Sequence, residues 1–176
     1  MSVNQADRRA LIIEAAFACF LRFGYAKTSM SDIASECGLS RSLLYLHFKT
    51  KDEVFGALLA QIFERSYERA REVRASARGK RERLLGVVRA RAIDLWASVT
   101  GSPHAEELFA QGWRVYPALA EEERRRNLEL CRGLIEGDDQ IELFWLAVKG
   151  FESDQPTTEV LTARCELLVD LMVKKR

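Results

Sequence analysis

Proline and glycine are scarce in this chain, three and ten in 176 residues. That excludes a collagen-like chain, a low-complexity chain and a turn-rich all-β fold. Long apolar runs are missing too, so no segment reads as a membrane span and no membrane partner is expected. The opening residues Met-Ser-Val-Asn-Gln-Ala-Asp-Arg-Arg lack the unbroken apolar core of a secretory signal, so a cytoplasmic location is expected. Charge of one sign is also lacking. Lys and Arg number 27 against 26 Asp and Glu, a net charge of +1. A generally polycationic binder is thereby excluded, but a locally basic face is not. The four cysteines, Cys19, Cys37, Cys131 and Cys165, lie far apart, and His47 and His104 are the only histidines. Neither zinc-ligand spacing nor a disulfide framework is present, so reduced, buried thiols are expected, with no metal and no cofactor.

What is there is helical period. Hydrophobic residues make up 48% of the chain and charged residues 30%, enough to bury a core and keep a solvated surface. Ile12, Ala15, Ala16, Phe20 and Phe23 recur at three- and four-residue intervals over 8–23, and Gly24 follows as a C-cap. Thr50-Lys51-Asp52-Glu53 has the pattern of a capping box and opens a helix to about residue 76. The same reading gives helices over 30–37, 41–47, 80–100, 103–113, 117–134, 139–152 and 157–175. The expected fold is all-α, with about nine helices. It divides into a block over 1–52 and a helical block over 53–176, with helix 51–76 as connector.

The segment 28–51 is the most informative. Ser29 with Asp32 forms an N-cap pair for a first short helix. Ala34 is small where a second helix must cross, and Gly38 follows where a tight turn needs positive φ. Ile33, Cys37, Leu39 and Leu44 are the apolar posts between the two helices, and Ser40 caps the second. This spacing suits a helix-turn-helix whose second helix enters the major groove. Arg41, Ser42 and Leu43 lie on that helix's first turn, where Arg can donate twice to guanine and Leu can meet a thymine methyl. Residues 1–52 carry 7 basic and 5 acidic side chains, so the salt dependence of binding should be moderate.

With its flanks this segment resembles the tetracycline-repressor (TetR) family of bacterial transcription regulators. The matching residues are Ile12-Ile13-x-Ala15-Ala16, Phe20, Phe23-Gly24-Tyr25-x-x-Thr28-Ser29, Asp32-Ile33-Ala34, Gly38-Leu39-Ser40, Leu44-Tyr45-x-His47-Phe48 and Lys51-x-Glu53. They span about residues 8–59; beyond them only the helical layout and Tyr116-Pro117 resemble the family. The resemblance implies a helix-turn-helix DNA-binding domain over 1–52 and a helical effector-binding and dimerisation domain over 53–176, in a homodimer on a palindromic double-stranded DNA operator, most simply a repressor released by a small effector. It implies base contacts from Arg41, Ser42 and Leu43, with Ser42 standing where many members carry glycine. It also implies phosphate contacts from Thr28, Ser29, Ser40, Tyr45, His47 and Lys51.

The rest of the chain supplies expectations for a pocket and a partner. Trp96, Phe109, Trp113, Tyr116, Phe144 and Trp145, with Cys131, are candidate walls for a mostly apolar effector. His104, Gln111 and Arg114 could orient it. The last two helices each carry two apolar stripes. Those of 157–175 are Leu161-Cys165-Leu168-Met172 and Val160-Ala163-Leu167-Leu171. Those of 139–152 are Ile141-Phe144-Trp145-Val148 and Leu143-Leu146-Ala147-Gly150. One stripe on each can face the core and the other needs a partner. The expected dimer contact uses Leu143, Ala147, Gly150, Leu161, Leu168 and Met172. Between Arg65 and Arg91 lie ten Lys or Arg, read as a solvated face of two long helices. Two alternatives stay open. One is an all-helical enzyme using Glu106, Glu107, His104 or Cys131, although no nucleophile-base motif supports catalysis. The other is a constitutive DNA-binding or interaction module without a ligand.

Overall fold

A computed structural model describes residues 5–105, 107–108, 111 and 116–173. Among them the regular structure is helical: α1 (Gln5–Phe23), α2 (Met30–Glu36), α3 (Arg41–His47), α4 (Lys51–Ser76), α5 (Lys80–Val88), α6 (Asp94–Val99), α7 (Pro117–Cys131), α8 (Asp138–Gly150) and α9 (Thr158–Val173). A π-helical turn, Arg89–Ile93, joins α5 to α6. No described helix is long and apolar enough to cross a membrane. The chain divides into two compact units, Met1–Ile62 with Gly101–Leu119 and Phe63–Thr100 with Ala120–Arg176.

The first unit is organised by the apolar face of α1. Ile12, Ala16 and Phe20 are fully buried against Ile33 of α2, Leu44 of α3, and Val54 and Phe55 of α4. Phe20 and Phe55 meet edge-on at 5.4 Å between centroids, and Tyr25 leans on both, a favourable aromatic arrangement. The later segment completes this core: Leu108 is buried in it, and the Ser102 hydroxyl donates to the Leu21 carbonyl at 2.8 Å. The absence of a side chain at Gly56 admits the Tyr116 ring, whose atoms lie 2.8 Å from where a Cβ would be. The Tyr116 hydroxyl donates to the Asp52 carbonyl.

In the second unit α9 packs on α5 and on the π-helical turn. Leu84, Val87 and Val88 meet a buried row of Leu161, Cys165 and Val169. The uninterrupted period over 80–100 predicts one regular helix with Arg91 on its apolar side; the structure instead buries Arg91 on the π turn. Its guanidinium donates to the Asn127 side chain at 3.0 Å, the Phe63 carbonyl at 3.2 Å, the Ser66 hydroxyl and Glu123. Arg91 and Glu123 are 8% and 4% exposed. These four hydrogen bonds, one of them to a carboxylate, offset the cost of desolvating the buried charge.

Candidate nucleic-acid interface

The local chemistry of the α2–α3 hairpin follows its sequence closely. Ser29 accepts from the Asp32 amide at 3.2 Å, while the Asp32 carboxylate accepts from the Ser29 amide at 2.8 Å, closing a full capping box. Hydrogen bonds from the Ser29 hydroxyl and amide hold the Asp32 carboxyl below the usual range. Gly38 has φ +66°, left-handed backbone that a side chain strains. Ser40 accepts from the Leu43 amide at 3.2 Å and starts α3. Thr50 accepts from the Glu53 amide at 3.1 Å, but the Glu53 carboxylate reaches past Thr50 to the Lys49 amide at 2.6 Å.

This geometry fixes which side of α3 is bare. Leu44 is fully buried and Phe48 nearly so, whereas Arg41, Ser42, Tyr45 and Leu46 are exposed and Leu43 and His47 half-buried. Ser42 lies 3.0 Å from the Ser40 hydroxyl. The Arg9 guanidinium covers the Phe48 ring at 4.1 Å and donates to the His47 carbonyl at 3.4 Å, which fastens the end of α3 to α1.

The residues expected at phosphates divide. Ser29, Ser40 and Tyr45 are exposed and His47 is half-buried. Thr28 is 2% exposed, and its hydroxyl donates to the Gly24 carbonyl at 2.7 Å. The Lys51 ammonium donates to the carbonyls of Tyr25, Thr28 and Ala26 at 2.6, 2.9 and 3.4 Å and lies 4.4 Å over the Tyr25 ring. Burial pushes this amine below its ordinary value and Glu107 opposes that shift. Thr28 and Lys51 are thus engaged in closing the α1–α2 turn. Glu107 is a further partner of that turn, accepting from the Ala26 amide at 2.9 Å. Only proximity in the fold reveals it, because 81 residues separate the two.

The candidate pocket residues are divided between the two units. Trp96, Cys131, Phe144 and Trp145 belong to the second unit and Tyr116 to the first. Trp96 is buried and donates to the Pro156 carbonyl at 2.9 Å. Phe144 and Trp145 meet edge-on at 5.6 Å, and burial pushes the Cys131 thiol up to about 11. Phe109, Trp113, Arg114 and Glu106 lie outside the described residues. His104 and Glu107 sit against the Gly24 turn. No metal-ligand cluster occurs among the described residues.

On the last two helices the doubled stripes separate as expected, with one correction. Leu161 is fully buried, because its stripe is the one that meets α5, so it belongs to the core and not to a dimer surface. Leu168 and Met172 are half-buried. The bare row on α9 is Val160, Leu167 and Leu171, at 43%, 63% and 60% exposure, and on α8 it is Leu143 and Leu146 at 66% and 67%. Ala147 is half-buried and Gly150 exposed beside them.

Residues 12–58 match the model of the bacterial regulatory proteins, tetR family. Over that segment, about a quarter of its length, the chain is similar to that family. Over 58 residues it is 43% identical to the HTH-type transcriptional regulator TtgR of Pseudomonas putida, covering 33% of this chain and 28% of that one. Over 84 residues it is 34% identical to an HTH-type transcriptional repressor of Mycobacterium tuberculosis, 48% of this chain and 40% of the relative. The aligned part therefore spans less than half the length of these relatives. Across nearly the whole chain the fold is that of a TetR-like transcriptional regulator from Rhodococcus sp., with TM-score 0.73 and 22% identity over 99% of this chain and 100% of the other. A TetR transcription regulator from Haloarcula marismortui superposes with TM-score 0.76 at 17% identity, over 95% and 98% of the two chains.

Proposed function

We propose that this protein is a homodimeric, DNA-binding transcriptional regulator, a repressor that leaves a palindromic operator when a small, mostly apolar effector binds. The observation that carries the reading is the α2–Gly38–α3 hairpin, with Leu44 and Phe48 buried behind α3 and Arg41, Ser42 and Tyr45 bare in front. A helix so presented fits the major groove, and a two-fold dimer would place two of them about 34–36 Å apart. Arg41, Ser42 and Leu43 are assigned to bases and Ser29, Ser40, Tyr45 and His47 to phosphates, which set register without reading sequence. The exposed leucines of α8 and α9 support a dimer. The helical second unit, with Trp96, Phe144, Trp145 and Cys131, supports an effector site. An effector that binds one of two conformations better would shift the dimer away from the operator-competent spacing. The repressor role rests on the name of the Mycobacterium tuberculosis relative.

The test is Arg41→Ala on a duplex selected by the wild-type protein. Loss of a bidentate base contact should cost about 1–3 kcal/mol on the selected site and much less on random DNA. Quantitative footprinting against a random competitor measures both. Equal loss on the two would make Arg41 a phosphate contact.

A further inference from the structure

Leu46 is the most exposed large hydrophobic side chain among the described residues, at 73%. Its place on α3 gives that exposure meaning. Successive residues of an α-helix turn by about 100°, so with Leu44 pointing inward, Ser42 and Leu46 lie at about 160° and 200°, directly opposite the core. Arg41 and Tyr45 lie on one shoulder and Leu43 on the other, which agrees with the half-burial of Leu43. Whatever α3 enters, Ser42 and Leu46 enter it furthest.

The chemistry of this ridge narrows what Leu46 can meet. An isobutyl group gains nothing beside a phosphate, which favours donors and positive charge. Its surroundings, Arg41, Ser42 and Tyr45, are polar or amphipathic, so the ridge lacks the broad apolar patch of a protein-docking face. In the major groove the one apolar feature on a base edge is the C5 methyl group of thymine. We propose that Leu46 is a specificity-determining residue that seats against a thymine methyl in each operator half-site, one helical turn beyond Ser42. This inference rests on the DNA-binding reading above.

The experiment begins with duplexes selected by the wild-type protein from a random-sequence library and located by footprinting. Each thymine in the selected site is then replaced in turn by deoxyuridine, which keeps base pairing and removes only the methyl. Fluorescence anisotropy compares wild type, Leu46→Ala and Arg41→Ala, and thermal melting by circular dichroism confirms that each variant is folded. Wild type should lose about three- to five-fold in affinity per half-site at one thymine, the value of burying one carbon. Leu46→Ala should bind the unmodified duplex more weakly by a similar factor and be indifferent to that methyl, while Arg41→Ala stays sensitive to it. Retained methyl sensitivity in Leu46→Ala overturns the inference, as does wild-type indifference to every thymine methyl. Failure of the wild-type protein to enrich any sequence would overturn the DNA-binding reading itself.

Discussion

Glu152 lies in the turn after α8, where burial lifts its carboxyl from an ordinary 4.5 to about 7, with Lys149 opposing the lift. The folded state therefore holds a proton that the unfolded chain gives up at lower pH. Between about pH 4.5 and 7 stability must fall as pH rises, and the full penalty persists above 7. Glu152→Gln should consequently match the parent near pH 4 and exceed it at pH 8. Because the carboxyl keeps some solvent contact, the gain should be about 1–2 kcal/mol rather than the full shift. Urea unfolding at the two pH values measures it, and a constant difference between parent and variant would refute the assignment. A parallel lesson at this scale concerns Lys51. A lysine at a helix start beside such a hairpin reads as a phosphate ligand in the sequence; in the structure its ammonium caps three carbonyls of the preceding turn.

Helix packing shows where the sequence was legible and where it was not. Ser29, Gly38, Ser40 and Thr50 announced their caps and turn because capping depends on neighbours three or four residues away. The π-helical turn at Arg89–Ile93 left no local trace, since the partners that hold Arg91 come from α4 and α7. For the same reason the choice between adjacent stripes on α9 could not be made in advance: both are apolar, and only contact with α5 selects the one containing Leu161. Gly86 is another such position. A Cβ there would collide with Val73 of α4, so the missing side chain is what allows α5 to lie close. Gly86→Ala should destabilise by about 1–2 kcal/mol, the overpacking cost outweighing the gain in helix propensity. In a Val73→Ala background the same change should become neutral or stabilising. Chemical denaturation of the four proteins forms the cycle, and additivity would show that the two sites do not touch.

At the scale of the whole molecule, the bare leucines of α8 and α9 and the buried Leu161 make opposite predictions. Leu146→Glu with Leu167→Glu should leave monomer stability nearly unchanged and abolish the proposed dimer in sedimentation at micromolar concentration. Leu161→Ala should cost about 2–5 kcal/mol of stability wherever the dimer forms. A persistent dimer in the double variant would place the contact elsewhere. The first unit has a further consequence, because it is discontinuous in the chain. Ser102, Glu107, Leu108 and Tyr116 complete a core begun by α1 to α4, and all of Phe63–Thr100 is synthesised in between. At ~5–20 residues per second a ribosome needs several seconds to cover that gap. During those seconds the nascent hairpin lacks its closing segment, so the earliest helices leave the ribosome before they can be finished. A gene fragment cut at the end of residue 62 would keep the helix-turn-helix permanently in that nascent condition. A chimera that grafts the unit holding the α2–α3 hairpin onto another protein would have to carry two separate stretches of sequence.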